Sequence, residues 1–158
     1  MRFVVHEHQG RKHHYDLRLQ IGGVLKSWAI PKGPSMNPAE RRLAIWVPDH
    51  PLEYIDFEGV IPAGQYGAGP VIIWDQGGCV IDGDAEAQIR HGELVFTLQG
   101  AKLRGGFALV RLERGEGRDW LLIKRRDAYA DPYWRLESAL SPERRRHLVE
   151  RAPPCAAD

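Results

Sequence analysis

Glycine and proline interrupt this chain at intervals of roughly ten residues, with 17 glycines and 11 prolines among 158 residues. Between the breaks lie short runs that alternate apolar and polar positions. They predict strands over 3–8, 14–21, 24–30, 42–47, 70–75, 78–82, 93–99, 103–112 and 119–125. Many short strands joined by glycine-rich turns predict a mainly β fold, a closed or nearly closed β-barrel of about eight strands. Two stretches depart from the pattern. Residues 48–69 hold Pro48, Pro51, Pro62 and several glycines, and predict a long ordered loop of the kind that often carries function. Residues 137–151 predict a short C-terminal helix, with Ser141 as cap and Pro142 at its first position. Its Arg144-Arg145-Arg146 run is expected to be a solvated face.

A chain of this length buries roughly 70% of its unfolded surface, so one domain over 1–151 needs no staple, and 152–158 is expected to be a flexible tail. Net charge is +1, from 22 basic and 21 acidic residues. That balance excludes a global basic field, so any nucleic-acid binding has to come from a local patch. Cys79 and Cys155 are too few and too far apart for a disulfide framework. Apolar runs fall far short of a membrane span, and no targeting segment precedes Phe3-Val4-Val5. A cytoplasmic location is expected.

The chemistry is concentrated in His14-Tyr15-Asp16-Leu17-Arg18-Leu19-Gln20-Ile21. Alternate residues of a strand face opposite ways. One face therefore carries Tyr15, Leu17, Leu19 and Ile21, and the other His14, Asp16 and Arg18. The preceding strand places His6 and His8 together by the same rule. Pairing of the two strands lets His8, His14 and Asp16 converge. Two imidazoles and a carboxylate form an open site for Mn or Fe, and sometimes Zn. An always-charged arginine beside them suits an anionic substrate. Solvent faces more often carry Lys, Glu and Thr than such a row. His13 falls on the other face and reads as an exposed loop histidine.

More cations follow at strand ends: Lys32 in Pro31-Lys32-Gly33-Pro34, Arg42 at the start of Leu43–Val47, and His50 in Asp49-His50-Pro51. Together with Arg18 they can cradle a phosphoryl group. Asp49 either orients His50, leaving it to donate a proton to a leaving oxygen, or forms a turn before proline. The block Glu58–Gly69 is dense in glycine but lacks the Gly-Lys-Ser/Thr of a P-loop, so it reads as a structural turn. The tryptophans at 28, 46, 74, 120 and 134 read as core or rim, with one or two available to stack a base.

Five ordered blocks carry a resemblance. Phe3-Val4-Val5-x-x-His8, His14-Tyr15-Asp16-Leu17-Arg18-Leu19, Leu25–Pro34, Asp49-His50-Pro51-Leu52-x-Tyr54 and the glycine-rich block are similar to the 3′-phosphoesterase module of bacterial and archaeal DNA ligase D. Trp120–Lys124 resembles its late strand, so the match runs over roughly 3–127. The resemblance implies a β-barrel phosphoesterase dependent on Mn2+, or on another divalent ion such as Co2+ or Zn2+. It implies a primer–template 3′ end as substrate, in DNA repair by non-homologous end joining beside a ligase and a polymerase. A phosphodiesterase step removes a terminal ribonucleoside, and a phosphomonoesterase step then restores a 3′-OH. It puts metal on His8, His14 and Asp16, phosphate contacts on Arg18, Lys32, Arg42 and His50, and Tyr54 in support. Three departures stand out. The family usually carries an N-terminal arm before the first strand, which this sequence, starting at Met1, does not contain. It usually has Gln where His6 stands and an acidic residue where Pro48 stands, so His6 enters the metal's surroundings or its ligand set.

Two other readings use the same residues. His14-x-Asp16 with a further histidine resembles the iron triad of 2-oxoglutarate oxygenases, although His8 lies upstream of the pair and not far downstream. A non-catalytic module that recognises nucleic-acid 3′ ends would use the same pocket.

Overall fold

The computed structural model describes residues 1–154; Cys155 and the rest of the predicted tail lie outside them. In chain order the strands are β1 (Arg2–Gln9), β2 (His13–Ile21), β3 (Val24–Ile30), β4 (Arg42–His50), β5 (Gly59–Ile61), β6 (Gly69–Val80), β7 (Glu93–Gly100), β8 (Arg104–Arg111) and β9 (Asp119–Lys124). Two short helices, α1 (Ala85–His91) and α2 (Pro142–Arg146), complete them. All strand pairs are antiparallel, in the order β1-β2-β3-β4-β9-β8-β7-β6, and β1 pairs with β6 to close an eight-stranded barrel. The short β5 adds to β6 outside the ring.

The barrel interior is filled by one face of each strand. Phe3, Val5, Tyr15, Leu17 and Leu19 meet Trp28, Trp74, Phe96, Phe107 and Trp120 there. Trp28 lies 6.1 Å from Trp46 and 5.8 Å from Trp120, centroid to centroid. Each such aromatic pair adds about 0.5–1.5 kcal/mol beyond the area it buries. Trp28, Trp74 and Trp120 belong to this core, and Trp46 and Trp134 pack against it half-buried.

A second, smaller cluster lies on the outside of the barrel wall. Tyr54, Ile55, Phe57 and Ile61 roof Val4, Leu25 and Val71. The roof comes from the segment read as a loop. It contains a 3-10 turn at Leu52–Asp56 and then β5. A strand wall covered on both sides explains why the polar residues of β1 and β2 are buried although they face away from the core.

Three local expectations are corrected. Residues 70–75 and 78–82 were expected as two strands; they are one strand, β6. Gly77 and Gly78 do not turn the chain. They let β6 approach β7, because a Cβ on Gly77 would lie 2.1 Å from the Gln99 carbonyl oxygen. Helix α1 was not foreseen, although Asp84 caps it through the Ala87 amide and Gly92 ends it in the left-handed region; at seven residues it is too short to show an apolar stripe. The C-terminal helix spans only Pro142–Arg146, with Ser141 capping through the Arg144 amide as expected. Buried Glu7 captures Ser138 Oγ and the Ala139 amide, which holds the preceding residues extended. After α2 the backbone of Val149 and Arg151 bonds to Val60.

Candidate metal and phosphate site

β1 and β2 pair so that Val4 opposes Arg18, His6 opposes Asp16, and His8 opposes His14. All six side chains share the outer face under the roof. One ligand atom each from His8, His14 and Asp16 lies within 4.8 Å of the others, the metal-ligand group found among the described residues.

The donor set fits a cation for two reasons. His14 Nδ1 lies 2.9 Å from the Lys12 carbonyl, to which it donates, so Nε2 is the free ligand atom and faces Asp16 Oδ2 at 3.3 Å. A lone pair facing a carboxylate oxygen repels it unless positive charge lies between them. Burial lowers the His14 pKa, yet the hydrogen bond and charge of Asp16 more than offset this, and the net shift is upward. A proton supplies that charge, and a divalent ion can replace it. His8 Nε2, meanwhile, is buried without a hydrogen-bond partner. Such an orphaned nitrogen is costly, about 1–3 kcal/mol, unless a ligand satisfies it. Asp16 is held ionised, at about 2: burial opposes this, but Arg18 and then His14 more than compensate.

Arg18 is buried and organises the floor of the site. Nε donates to His6 Nδ1 at 3.1 Å, Nη1 to Ser27 Oγ at 3.0 Å, and Nη2 to Asp16 Oδ2 at 3.2 Å. Nη1 also lies 3.2 Å from His50 Nδ1. These partners take up as many as four of the five N–H groups of a guanidinium, and the Tyr54 side chain hydrogen-bonds it as well. Its plane sits 4.7 Å from the Tyr54 ring centroid, and Tyr54 stacks on Phe57 at 5.0 Å.

His50 Nδ1 lies between Arg18 and the Pro48 carbonyl, at 3.0 Å from the latter. Arginine only donates and a carbonyl only accepts, so Nδ1 serves one of them at a time: accepting from Arg18 leaves the proton on Nε2, free to donate outward, whereas donating to Pro48 keeps it on Nδ1 and leaves Nε2 as an acceptor. Burial and then Arg18 lower the His50 pKa to about 4, so at neutral pH it is a neutral imidazole and not an imidazolium acid. Asp49 does not orient it: that carboxylate pairs with Lys26 at 3.0 Å.

His6 is outside the ligand set. Both its nitrogens are engaged, Nδ1 by Arg18 and Nε2 by the Phe57 carbonyl at 3.1 Å. Burial and then Arg18 hold its pKa near 3, so it stays neutral and ties the roof to the guanidinium. Ser27 was not singled out in the sequence; the signal was a small hydroxyl inside an apolar strand, in register with Arg18. His13 faces the other way, as expected, but it is anchored by Glu7 Oε2 at 2.6 Å.

Lys32 and Arg42 are not drawn into this cluster. Lys32 is exposed just beyond β3. Arg42 opens β4 opposite Leu122, with Nη2 on Glu40 at 3.3 Å and a buried Nε without a partner. The strand registers place both at the same end of the barrel as His14. No helix among the described residues is long and apolar enough to cross a membrane.

The family model of the DNA ligase D 3′-phosphoesterase domain matches residues 6–111. The multifunctional non-homologous end joining protein LigD of Pseudomonas aeruginosa is 48% identical over 131 residues, which is 82% of this chain and 16% of that protein. The protein of the same name from Mycolicibacterium smegmatis is 42% identical over 132 residues, 80% of this chain and 17% of the relative. The Mycobacterium tuberculosis non-homologous end joining DNA repair protein LigD is 48% identical over 120 residues, 75% of this chain and 15% of the relative. The chain thus spans a minor part of the length of each. With the family model covering residues 6–111 and these relatives at least 42% identical over at least 75% of the chain, this chain belongs to the DNA ligase D 3′-phosphoesterase domain family.

Proposed function

We propose that this chain is a divalent-metal-dependent phosphoesterase that heals nucleic-acid 3′ ends, removing a terminal ribonucleoside and then the 3′-phosphate left behind. The observation that carries this reading is the convergence of His8, His14 and Asp16 ligand atoms within 4.8 Å, directly beside buried Arg18. Mn2+ is the proposed ion, with Co2+ or Zn2+ as substitutes. When bound, it supplies a Lewis acid for a phosphoryl oxygen and lowers the pKa of water. Family membership sets the oxygenase reading aside.

The residues divide the remaining work. Arg18 presents its guanidinium charge to a phosphoryl oxygen while its donors fix Asp16, Ser27 and His6. His50, in the tautomer that accepts from Arg18, carries its proton on Nε2 and hydrogen-bonds the leaving or bridging oxygen. Tyr54 supports both, with its ring 5.0 Å from that of His50. Lys32 and Arg42 supply cations along the same barrel end, for phosphates further from the cleaved bond. The names of the relatives suggest the setting: non-homologous end joining in DNA repair.

The test uses a 5′-labelled primer–template ending in one ribonucleotide and a twin ending in a 3′-phosphate, each with Mn2+ or with chelator. Mn2+-dependent shortening and dephosphorylation, lost in His14→Ala, are expected. Absence of both reactions with metal bound and the fold intact overturns the esterase reading in favour of an end-binding module.

A further inference from the structure

We infer that Tyr66 is the platform on which the base of the 3′-terminal nucleotide stacks; this deepens the end-healing reading and rests on it. Tyr66 is 97% exposed. A single exposed aromatic is unremarkable on most surfaces. Its placement is what matters here. It occupies a loop built from two consecutive turns, Gln65 N–H to Pro62 O and Ala68 N–H to Gln65 O, both at 3.2 Å. The loop is clamped to β1 around His8. A Cβ on Gly67 would lie 3.5 Å from His8 Cε1, and one on Gly69 would lie 2.3 Å from the Gln9 carbonyl oxygen. Gly67 and Gly69 adopt φ of 76° and 121°, which glycine tolerates and other residues rarely do. The residue next to the one touching His8 is therefore an aromatic ring in solvent, on a backbone held close to the strand.

The other aromatics do not offer this. The tryptophans belong to the core or pack against it. Tyr54 is buried under Arg18. Tyr129 and Tyr133 are exposed too, 51% and 88%, but Tyr129 stands beside the Arg104 guanidinium and Tyr133 on the segment held through Asp131 to Met36, not on the loop against His8. A phosphoester seated at His8, His14 and Asp16 brings its own nucleoside to the rim where Tyr66 stands. Base–aromatic stacking tolerates every base, because each has a π face, which suits an enzyme that processes ends without regard to sequence.

The experiment uses a primer–template ending in a 3′-hydroxyl, so that nothing is cleaved, with 2-aminopurine as the terminal base. Stacking quenches its fluorescence. The native chain, Tyr66→Phe and Tyr66→Trp are expected to quench it, and Tyr66→Ala is not. Anisotropy of a 5′-labelled primer should show Tyr66→Ala binding about tenfold more weakly. An abasic terminus should weaken the native chain similarly and Tyr66→Ala little further. Equal quenching in Tyr66→Ala, or an undiminished loss on the abasic end, overturns the platform. Where the native chain binds and trims ends and Tyr66→Ala matches it, the stacking alone is wrong. Where the native chain binds no primer end, the end-healing reading falls with it.

Discussion

His8 and His14 face each other directly across the β1–β2 pair, with ring centroids 4.8 Å apart. One of them, His8, buries an Nε2 that bonds to nothing, and the other has its Nδ1 tied to a backbone carbonyl. Antiparallel pairing puts directly opposed residues on one face, so this single register match builds two thirds of a ligand set. Asp16, two residues after His14, supplies the rest.

Arg18 is expected to resist even conservative change. Lysine keeps the charge but not the planar fork, and it cannot hold His6, Ser27 and Asp16 together. Arg18→Lys should retain metal binding and lose about a hundredfold or more in kcat, the scale of one lost transition-state donor. Arg18→Ala leaves the Asp16 carboxylate buried beside fewer partners and should also destabilise the fold, by about 3–5 kcal/mol. Denaturant melts and metal-supplemented kinetics on both variants check this. Native-like kcat in Arg18→Lys would remove the guanidinium from the chemistry.

Acid sensitivity should trace in part to His6. Its folded pKa, about 3, lies below the usual 6.5, so below 6.5 the unfolded chain binds a proton that the folded chain refuses. Stability from this group is complete above about pH 6.5 and drains away as pH falls toward 3, with a slope of at most about 1.4 kcal/mol per unit. Gln at this position can accept from Arg18 and donate to Phe57 without titrating. Metal-free melts of His6→Gln should show a flatter profile between pH 6 and 4 than the native chain, and identical profiles would refute the linkage.

Lys32 should act on binding. It is exposed and bonded to nothing in the cluster, so Lys32→Ala should weaken primer-end binding uniformly. The slope of log affinity against log salt should shrink by about one contact. An unchanged slope would remove Lys32 from the phosphate path.

Core and site should separate experimentally. Trp28 is fully buried among aromatic neighbours on the core face. Trp28→Ala should cost about 3–5 kcal/mol, which lowers Tm by roughly 10 °C for a domain of this size. At low temperature the remaining folded protein should still bind metal. Loss of metal binding in molecules that are still folded would show that the barrel core shapes the site more directly.

Much of this site was legible from period two alone. The alternation in His14–Ile21 separates Asp16 and Arg18 from Leu17 and Leu19, and the structure keeps that separation. What alternation cannot reveal is a second cover. Asp16 and Arg18 are buried because residues 52–61 fold back over the wall, and nothing local in β2 reports that roof. The same blindness affected Lys32, Arg42 and Asp49. Strand-end position was read as convergence, whereas the register leaves Lys32 in solvent and Arg42 opposite Leu122, and Asp49 finds Lys26. His6 was readable as a face-mate of His8, but its role required Phe57, far along the chain. The short span of α2 was not legible either: after it the chain turns to pair Val149 and Arg151 with the backbone of Val60, a partner far along the sequence.

The most direct test of the metal centre is a Mn2+ titration of the native chain followed by electron paramagnetic resonance, with pulsed detection of ligand nitrogens. The expected result is a single tight site coupled to two imidazole nitrogens. His8→Ala and His14→Ala should each show one nitrogen and weaker binding, and Asp16→Ala weaker binding with both nitrogens kept. No tight site, or the same two-nitrogen signal after either histidine is removed, would contradict a centre built on His8, His14 and Asp16.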